Sequence, residues 1–161
     1  MKRCLIINFI TLYGSVLFGQ FAKFKHITTE EGLNAPTVYA VTQDNKGFIW
    51  IGTSMGLCRY DGYKVDVFTA INDSSKVNDP GISSLLAASD HTLYIGFHTG
   101  GMAVLDLNTY KFTYYKPDSS GTNCIASLHV KEIVEIDKES LAISTSKGLN
   151  IFNRVKNSFS L

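Results

Sequence analysis

Short apolar runs separated by turn signals recur along the chain, and this recurrence constrains the fold more than any other feature. Between residues 34 and 68, four such runs are broken by Asp44-Asn45-Lys46-Gly47, by Ser54-Met55-Gly56 and by Asp61-Gly62. Because glycine reaches positive φ at little cost, each break predicts a tight reversal between antiparallel strands. The stretch is therefore predicted to form a four-stranded meander.

The second and third strands of this meander are repeated twice further along the chain. The copies are Asp90–Gly96 followed by Met102–Asp106, and Glu139–Ser144 followed by Lys147–Asn153. Gly52 and Gly96 are 44 residues apart, and Gly96 and Ser144 are 48 apart. A period in the forties with four strands per unit is typical of a β-propeller blade. The predicted fold is all-β, a partial β-propeller of about three four-stranded antiparallel blades that is open or incomplete.

The repeats divide the chain into five expected segments. These are a signal peptide (1–19), an N-terminal strand and lead-in (20–33), and three blades (34–69, 70–115 and 116–161). The signal peptide is predicted from the basic start Met1-Lys2-Arg3, a short apolar run and the small residue Gly19. An uncleaved membrane anchor is the alternative, because Leu17 stands where a cleavage site favours alanine.

About three blades are fewer than the four to eight of closed propellers. A fragment of a longer protein is therefore expected, or a unit that closes by association. The segment Phe21–Ile27 resembles the fourth strand of the first blade, yet no three strands precede it. In closed propellers such a strand completes the last blade, so this segment also favours incompleteness.

The charge balance argues against nucleic acid as a partner of this segment. Fifteen basic and fourteen acidic residues give a net charge of +1, with no charged run. A hydrophobic fraction of 45% is ordinary for a globular chain. The sequence indicates no further membrane segment after the signal peptide.

Two groups of loops are expected on one face of the propeller, where ligands are usually met. They are the connections after the fourth strands, within 70–80 and 116–123, and the turns between second and third strands. From these turns we take His98, Thr99 and Lys147 as candidate ligand-binding residues.

The sequence offers no catalytic or cofactor motif, so no catalytic residue, cofactor or metal ligand is assigned. The four histidines lack metal-ligand spacing, and no phosphate-binding or nucleophile motif is present. Glu30, Glu31 or Asp118 could form a glycosidase pair, although solvent exposure is the default expectation. Cys58 and Cys124 fall in different repeats and are expected to stay unpaired.

The first repeat also resembles the two-component regulator propeller repeat, which occurs in periplasmic sensor regions of Bacteroidetes hybrid two-component systems. The match includes Gly32-Leu33, Val38-Tyr39 and Gln43, together with a set that we assign structural roles in the repeat. That set is Asp44, Gly47, Trp50, Gly52, Thr53, Gly56, Tyr60, Asp61 and Gly62. Trp50 is expected to pack between blades, and Asp61 to bond backbone amides of its turn.

The resemblance implies a non-catalytic, exported sensor segment in the periplasm, anchored to the inner membrane in the full-length relative. Its blades would recognise an oligosaccharide derived from a glycan and pass the signal to a histidine kinase outside this chain. Remaining blades or another copy of the chain would be its protein partners. The alternatives are a secreted propeller enzyme acting on polysaccharide and a structural propeller for protein interactions.

Overall fold

A computed structural model describes residues 24–68, 81–119 and 123–160, which contain twelve strands and no helix. The first sheet contains β1 (Val38–Gln43), β2 (Ile49–Thr53), β3 (Gly56–Tyr60) and β4 (Val65–Phe68). The second contains β5 (Ile82–Ala87), β6 (Thr92–Phe97), β7 (Met102–Asp106) and β8 (Phe112–Tyr115). The third contains β9 (Val130–Glu135), β10 (Ser140–Thr145), β11 (Gly148–Asn153) and β12 (Ser158–Ser160).

Each sheet is an antiparallel meander, so the predicted fold class is confirmed. Gly47 and Gly56 have φ of 86° and 120°, values that side chains with a Cβ rarely adopt. Both are the last residues of predicted turn signals, which explains why the chain reverses there. The first strand of each sheet also carries a register shift, at Tyr39, Ser83 and Lys131.

The sheets stack face to face, each burying apolar side chains against the next. Trp50 and Leu57 of the first sheet pack with Leu93, Ile95 and Phe97 of the second. The opposite face of the second sheet packs on the third. That cluster includes Tyr94, Met102, Ile133, Leu141, Ile143 and Phe152. β1 lies against β5 and β5 against β9, so the first strands of the meanders are neighbours.

Two repeat glycines sit where neighbouring sheets come closest. A Cβ added to Gly52 would lie 2.5 Å from Cγ2 of Ile82, and one added to Gly96 would lie 2.6 Å from Cγ1 of Val130. Both distances are far below van der Waals contact, so any side chain here would push the sheets apart. The equivalent residue of the third sheet is Ser144, which is half-buried.

One backbone hydrogen bond recurs with the same period in all three sheets. The amide after the second strand donates to the carbonyl just before the first strand. The pairs are Ser54 N to Thr37 O at 3.2 Å, His98 N to Gly81 O at 2.9 Å and Ser146 N to His129 O at 3.1 Å. The spacings of 44 and 48 residues seen in the sequence therefore relate equivalent positions in three dimensions.

Residues 24–27, the described part of the strand predicted at Phe21–Ile27, pair with no strand among the described residues. The sequence predicts its partners in a last blade that these residues do not include, so its pairing stays a prediction. Ile27 packs on the face of the first sheet, near Leu33 and Ile51. Residues 21–23 lie outside the described residues, as do the predicted signal peptide and the loop at 70–80.

No helix within the described ranges is long and apolar enough to cross a membrane.

Candidate ligand-binding cleft

A cleft of about 560 Å³ opens between the second and third sheets. It lies on the face that carries the β6–β7 and β10–β11 turns, the face expected to meet ligands. The residues lining it are Thr99, Lys116, Pro117, Ala126, Ser127, Leu128, His129, Ser146 and Lys147. Two turns and one inter-sheet connection therefore contribute to a single concave surface.

The second-sheet wall is shaped by the β6–β7 turn and the end of β8. The turn is closed by Phe97 N, which donates to Gly101 O at 3.0 Å. Gly101 has φ of 79°, and a Cβ there would collide with the carbonyl oxygen of Tyr115. Only glycine allows the turn to approach β8 this closely, which brings Thr99 and Lys116 to the same wall.

The third-sheet wall is held by hydroxyl groups. Ser127 Oγ accepts a hydrogen bond from His129 N at 3.0 Å and lies 2.7 Å from Ser146 Oγ. Thr145 Oγ1 accepts from Lys147 N at 3.1 Å and donates to Gly148 O at 2.9 Å, which fixes the β10–β11 turn. Gly101 N donates to Leu128 O at 2.8 Å and joins the two walls.

The lining combines basic and hydroxyl-bearing side chains with the apolar Pro117, Ala126 and Leu128. Two lysines and a histidine face a surface that also carries three hydroxyl groups, and none of the nine lining residues is acidic. Lysine ammonium and hydroxyl groups can donate to oxygen atoms of a ligand, and the hydroxyls can also accept. Such a surface suits a small, oxygen-rich molecule.

Two of the three predicted ligand-binding residues, Thr99 and Lys147, lie on the cleft, whereas His98 does not. The imidazole of His98 is exposed and packs edge-on against Tyr39, with ring centroids 4.7 Å apart. Lys116 and Ser146 lie in loops that the sequence predicts on this face, although neither is among the three predicted candidates. Ala126–His129 was not predicted to lie there, because this stretch carries no turn or motif signal in the sequence.

Asp44 and Trp50 form a buried polar pair in the first sheet, away from the cleft. The indole Nε1 of Trp50 donates to Asp44 Oδ2 at 2.8 Å, and both residues are buried. Asp44 Oδ1 accepts from Lys46 N at 2.9 Å and Phe48 N at 3.1 Å. The carboxylate thus closes the β1–β2 turn and orients the ring that packs against the second sheet.

The acids that cap the third-to-fourth strand turns follow the predicted pattern. Asp61 Oδ1 accepts from Tyr63 N and Lys64 N, both at 2.8 Å, which confirms the expected role of Asp61. Asp106 Oδ1 accepts from Asn108 N at 2.8 Å and Thr109 N at 3.0 Å in the second sheet. These backbone bonds favour the ionised form and lower the pKa of both carboxyl groups.

Glu31 does not have the environment of a glycosidase acid. Its Oε2 accepts from Thr28 Oγ1 at 2.6 Å and from Thr28 N at 2.8 Å, and these bonds lower the pKa of the carboxyl group. A general acid needs the opposite shift. Glu31 instead closes the turn that leads into the first sheet.

Within the three described ranges, no group of three or more histidines, cysteines or acids could hold a metal ion. Cys58 is buried, Cys124 is half-buried, and both are free thiols, as expected from their places in different repeats. Burial raises the pKa of the Cys58 thiol, which packs in a cluster with Leu33 and Ile51 and donates to Asn34 Oδ1 at 3.2 Å.

Comparison with known proteins identifies the repeat. Residues 32–55 match the family described as "Two component regulator propeller". The chain therefore carries a repeat of that family, at the position where the sequence resemblance was strongest. No curated protein matches the sequence.

Solved structures with the same fold include two extracellular domains from B. thetaiotaomicron. The extracellular domain of the hybrid two component system BT3049 matches with a TM-score of 0.77 and 20% identity, over 85% of this chain and 20% of that chain. The extracellular domain of the one component system BT4673 matches with a TM-score of 0.63 and 22% identity, over 80% and 16%. Saccharomyces cerevisiae Sqt1 matches with a TM-score of 0.60 and 17% identity, over 84% and 38%.

These likenesses show the propeller fold, and the chain spans about a fifth of the length of the BT3049 domain.

Proposed function

We propose that this chain is a non-catalytic, extracytoplasmic sensor segment of a hybrid two-component system, whose blades recognise an oligosaccharide derived from a glycan. The observation that carries the proposal is the two component regulator propeller repeat at residues 32–55. The fold shared with an extracellular domain of a hybrid two component system supports it. The signal would pass to a histidine kinase outside this chain, and the protein would be exported to the periplasm.

The cleft between the second and third sheets is the site we propose for the oligosaccharide. Its hydroxyl and ammonium groups match the many oxygen atoms of a sugar, and its volume accommodates a short oligomer. A glycosidase needs two carboxylates at a set separation, and the lining of the cleft contains none. Binding there would act on two neighbouring blades at once, which is how a ligand could bias their arrangement.

We further propose that other blades, or a second copy of the chain, cover the outer face of the third sheet. Val134 and Leu149 are 49% and 59% exposed on that face. Met102, the equivalent of Leu149 in the second sheet, is fully buried by the third sheet. A neighbouring sheet would bury the same positions.

Calorimetric titration of the purified chain with a panel of defined oligosaccharides tests the sensor proposal. The expected result is saturable binding to at least one oligosaccharide, with no change in its chromatographic profile after prolonged incubation. Thr99→Val, which removes one hydroxyl from the cleft, is expected to weaken that binding severalfold. Thr113→Val on the exposed part of β8 is the matched control and should leave the affinity unchanged.

Shortened or unsaturated products would instead identify a polysaccharide hydrolase or lyase. A chain that binds no oligosaccharide in the panel, but captures a defined protein partner, would be a structural interaction propeller. Either result would contradict the sensor proposal.

A further inference from the structure

The charged side chains that line the cleft are all basic, in a molecule that is almost neutral as a whole. Lys116 and Lys147 approach the cleft from the second and third sheets, with His129 beside them. The whole chain carries a net charge of only +1, so the local excess is not a reflection of its composition.

The two lysines are available for a ligand. Four ion pairs occur in the described ranges, and they use Arg59, Lys64 and Arg154. Lys64 Nζ, for example, lies 2.8 Å from Asp66 Oδ1. Across these same ranges, neither Lys116 nor Lys147 joins an acidic partner, and the cleft between them has no acidic lining residue.

The concave shape strengthens this effect. Like charges on opposite walls of a cleft add their potentials in the space between them, where less water screens them than on an open surface. A ligand group placed between the ammonium groups of Lys116 and Lys147 therefore has the most favourable electrostatic energy if it is anionic. The neighbouring hydroxyls of Thr99 and Ser146 favour sugar hydroxyl groups beside that anion.

We propose that the cleft binds an acidic oligosaccharide, one bearing carboxylate or sulfate groups, with Lys116 and Lys147 contacting the anionic group. This inference rests on the proposed oligosaccharide-binding function and narrows its ligand class. It also assigns a role to Lys116, which sequence reasoning did not select.

Calorimetric titration with three probes tests the inference. They are a tetramer of galacturonic acid, its fully methyl-esterified form, and a sulfated chondroitin tetrasaccharide. The ester keeps the same sugar rings but replaces each charged carboxylate with an uncharged methyl ester. We expect saturable binding of at least one acidic probe, at least tenfold weaker binding of the ester, and a loss of affinity as salt is raised. Chondroitin sulfate carries both carboxylate and sulfate groups, whereas galacturonate carries carboxylates alone. Binding of the galacturonate tetramer would therefore show that carboxylate suffices, and binding of the chondroitin probe alone would indicate a sulfate requirement.

Lysine variants locate the site. Lys116→Gln and Lys147→Gln are each expected to weaken binding of the acidic probe about threefold to tenfold, the range for one partly exposed charge contact. Lys138→Gln is the control, since Lys138 lies exposed in the β9–β10 turn at the other end of the third sheet. It removes the same charge from the molecule without touching the cleft.

Equal affinity for the acid and its ester would overturn the inference, as would equal effects of Lys138→Gln and Lys147→Gln. If only neutral oligosaccharides bind, the inference fails while the proposed sensor function stands. If neither acidic nor neutral oligosaccharides bind, both fail. Unsaturated products from the galacturonate tetramer would show a lyase and contradict the sensor proposal.

Discussion

Asp44 and Trp50 show how one carboxylate can serve both a turn and an inter-sheet contact. The Asp44 side chain accepts two backbone amides of its own turn and the indole N–H of Trp50. The sequence predicted that Trp50 packs between blades, and its ring does lie among residues of both sheets. The sequence did not predict the hydrogen bond from the Trp50 indole to Asp44, because the two residues are six positions apart and meet only when the turn between them has formed.

We expect Asp44→Asn to destabilise the chain by about 1–3 kcal/mol. The asparagine side chain can keep its oxygen toward the backbone amides of the turn, but its NH2 group then faces the indole N–H of Trp50. Two donors cannot form a hydrogen bond with each other. Urea unfolding followed by far-UV circular dichroism measures the effect, since Trp50 is the only tryptophan of the chain and one of the variants removes it. Trp50→Phe, which removes the donor, should cost less in the Asp44→Asn background than alone. Equal costs in both backgrounds would show that this bond contributes nothing.

Acid should destabilise the chain through the capping carboxylates. Asp61 and Asp106 have lowered pKa values in the folded state because each accepts two backbone amides. As pH falls below the ordinary aspartate value of about 3.9, the unfolded chain takes up protons first. The stabilisation is thus complete above that value and is lost as pH falls through the lower folded pKa.

The measurement is the urea midpoint as a function of pH, for the parent chain and for an Asp61→Asn, Asp106→Asn double variant. Asparagine can still accept the backbone bonds but does not titrate. The double variant should therefore lose less stability on acidification. An identical pH profile would assign the acid sensitivity to other carboxyl groups, such as Asp66 and Glu31, whose pKa values are also lowered.

At the scale of the strand, the repeat glycines carry the contact between sheets. Periodicity predicted which strands exist and where they reverse, because alternation and turn residues are local properties of the sequence. The closeness of Gly52 to Ile82 and of Gly96 to Val130 is not local. It depends on how one sheet lies on the next, which the repeat spacing in the sequence does not determine.

We expect Gly52→Ala and Gly96→Ala each to destabilise the chain by about 1–3 kcal/mol, because the added methyl group must displace a β-branched side chain of the next sheet. Ser144→Ala is the matched control at the equivalent position of the third sheet. It should change the free energy of unfolding by well under 1 kcal/mol, about the size of an ordinary surface substitution. Similar costs at all three positions would contradict the role assigned to the glycines.

Only some of the residues that line the cleft could be predicted from the sequence. Thr99 and Lys147 were found because they occupy turns between strands, which glycine marks plainly. Residues 126–129 precede β9 without regular structure, and nothing in their pattern distinguishes them from a connector. Their place at the cleft comes from hydrogen bonds to neighbouring turns, such as Leu128 O with Gly101 N.

At the scale of the whole molecule, the sheets form an array in which each is stabilised mainly by its neighbours. The second sheet is covered on both faces, by the first sheet and by the third. The outer face of the first sheet is partly covered by the lead-in through Leu33 and Ile27. The outer face of the third leaves Val134 and Leu149 exposed. In such arrays local stability follows the number of covered faces.

Hydrogen exchange followed by mass spectrometry tests this stacked arrangement most directly, by comparing the second strand of each sheet. All three strands, β2, β6 and β10, are paired on both sides within their own sheets, so ladder bonding alone would protect them equally. Stacking predicts slowest exchange in Thr92–Phe97, intermediate exchange in Ile49–Thr53 and fastest exchange in Ser140–Thr145. Exchange in Ser140–Thr145 as slow as in Thr92–Phe97 would contradict it.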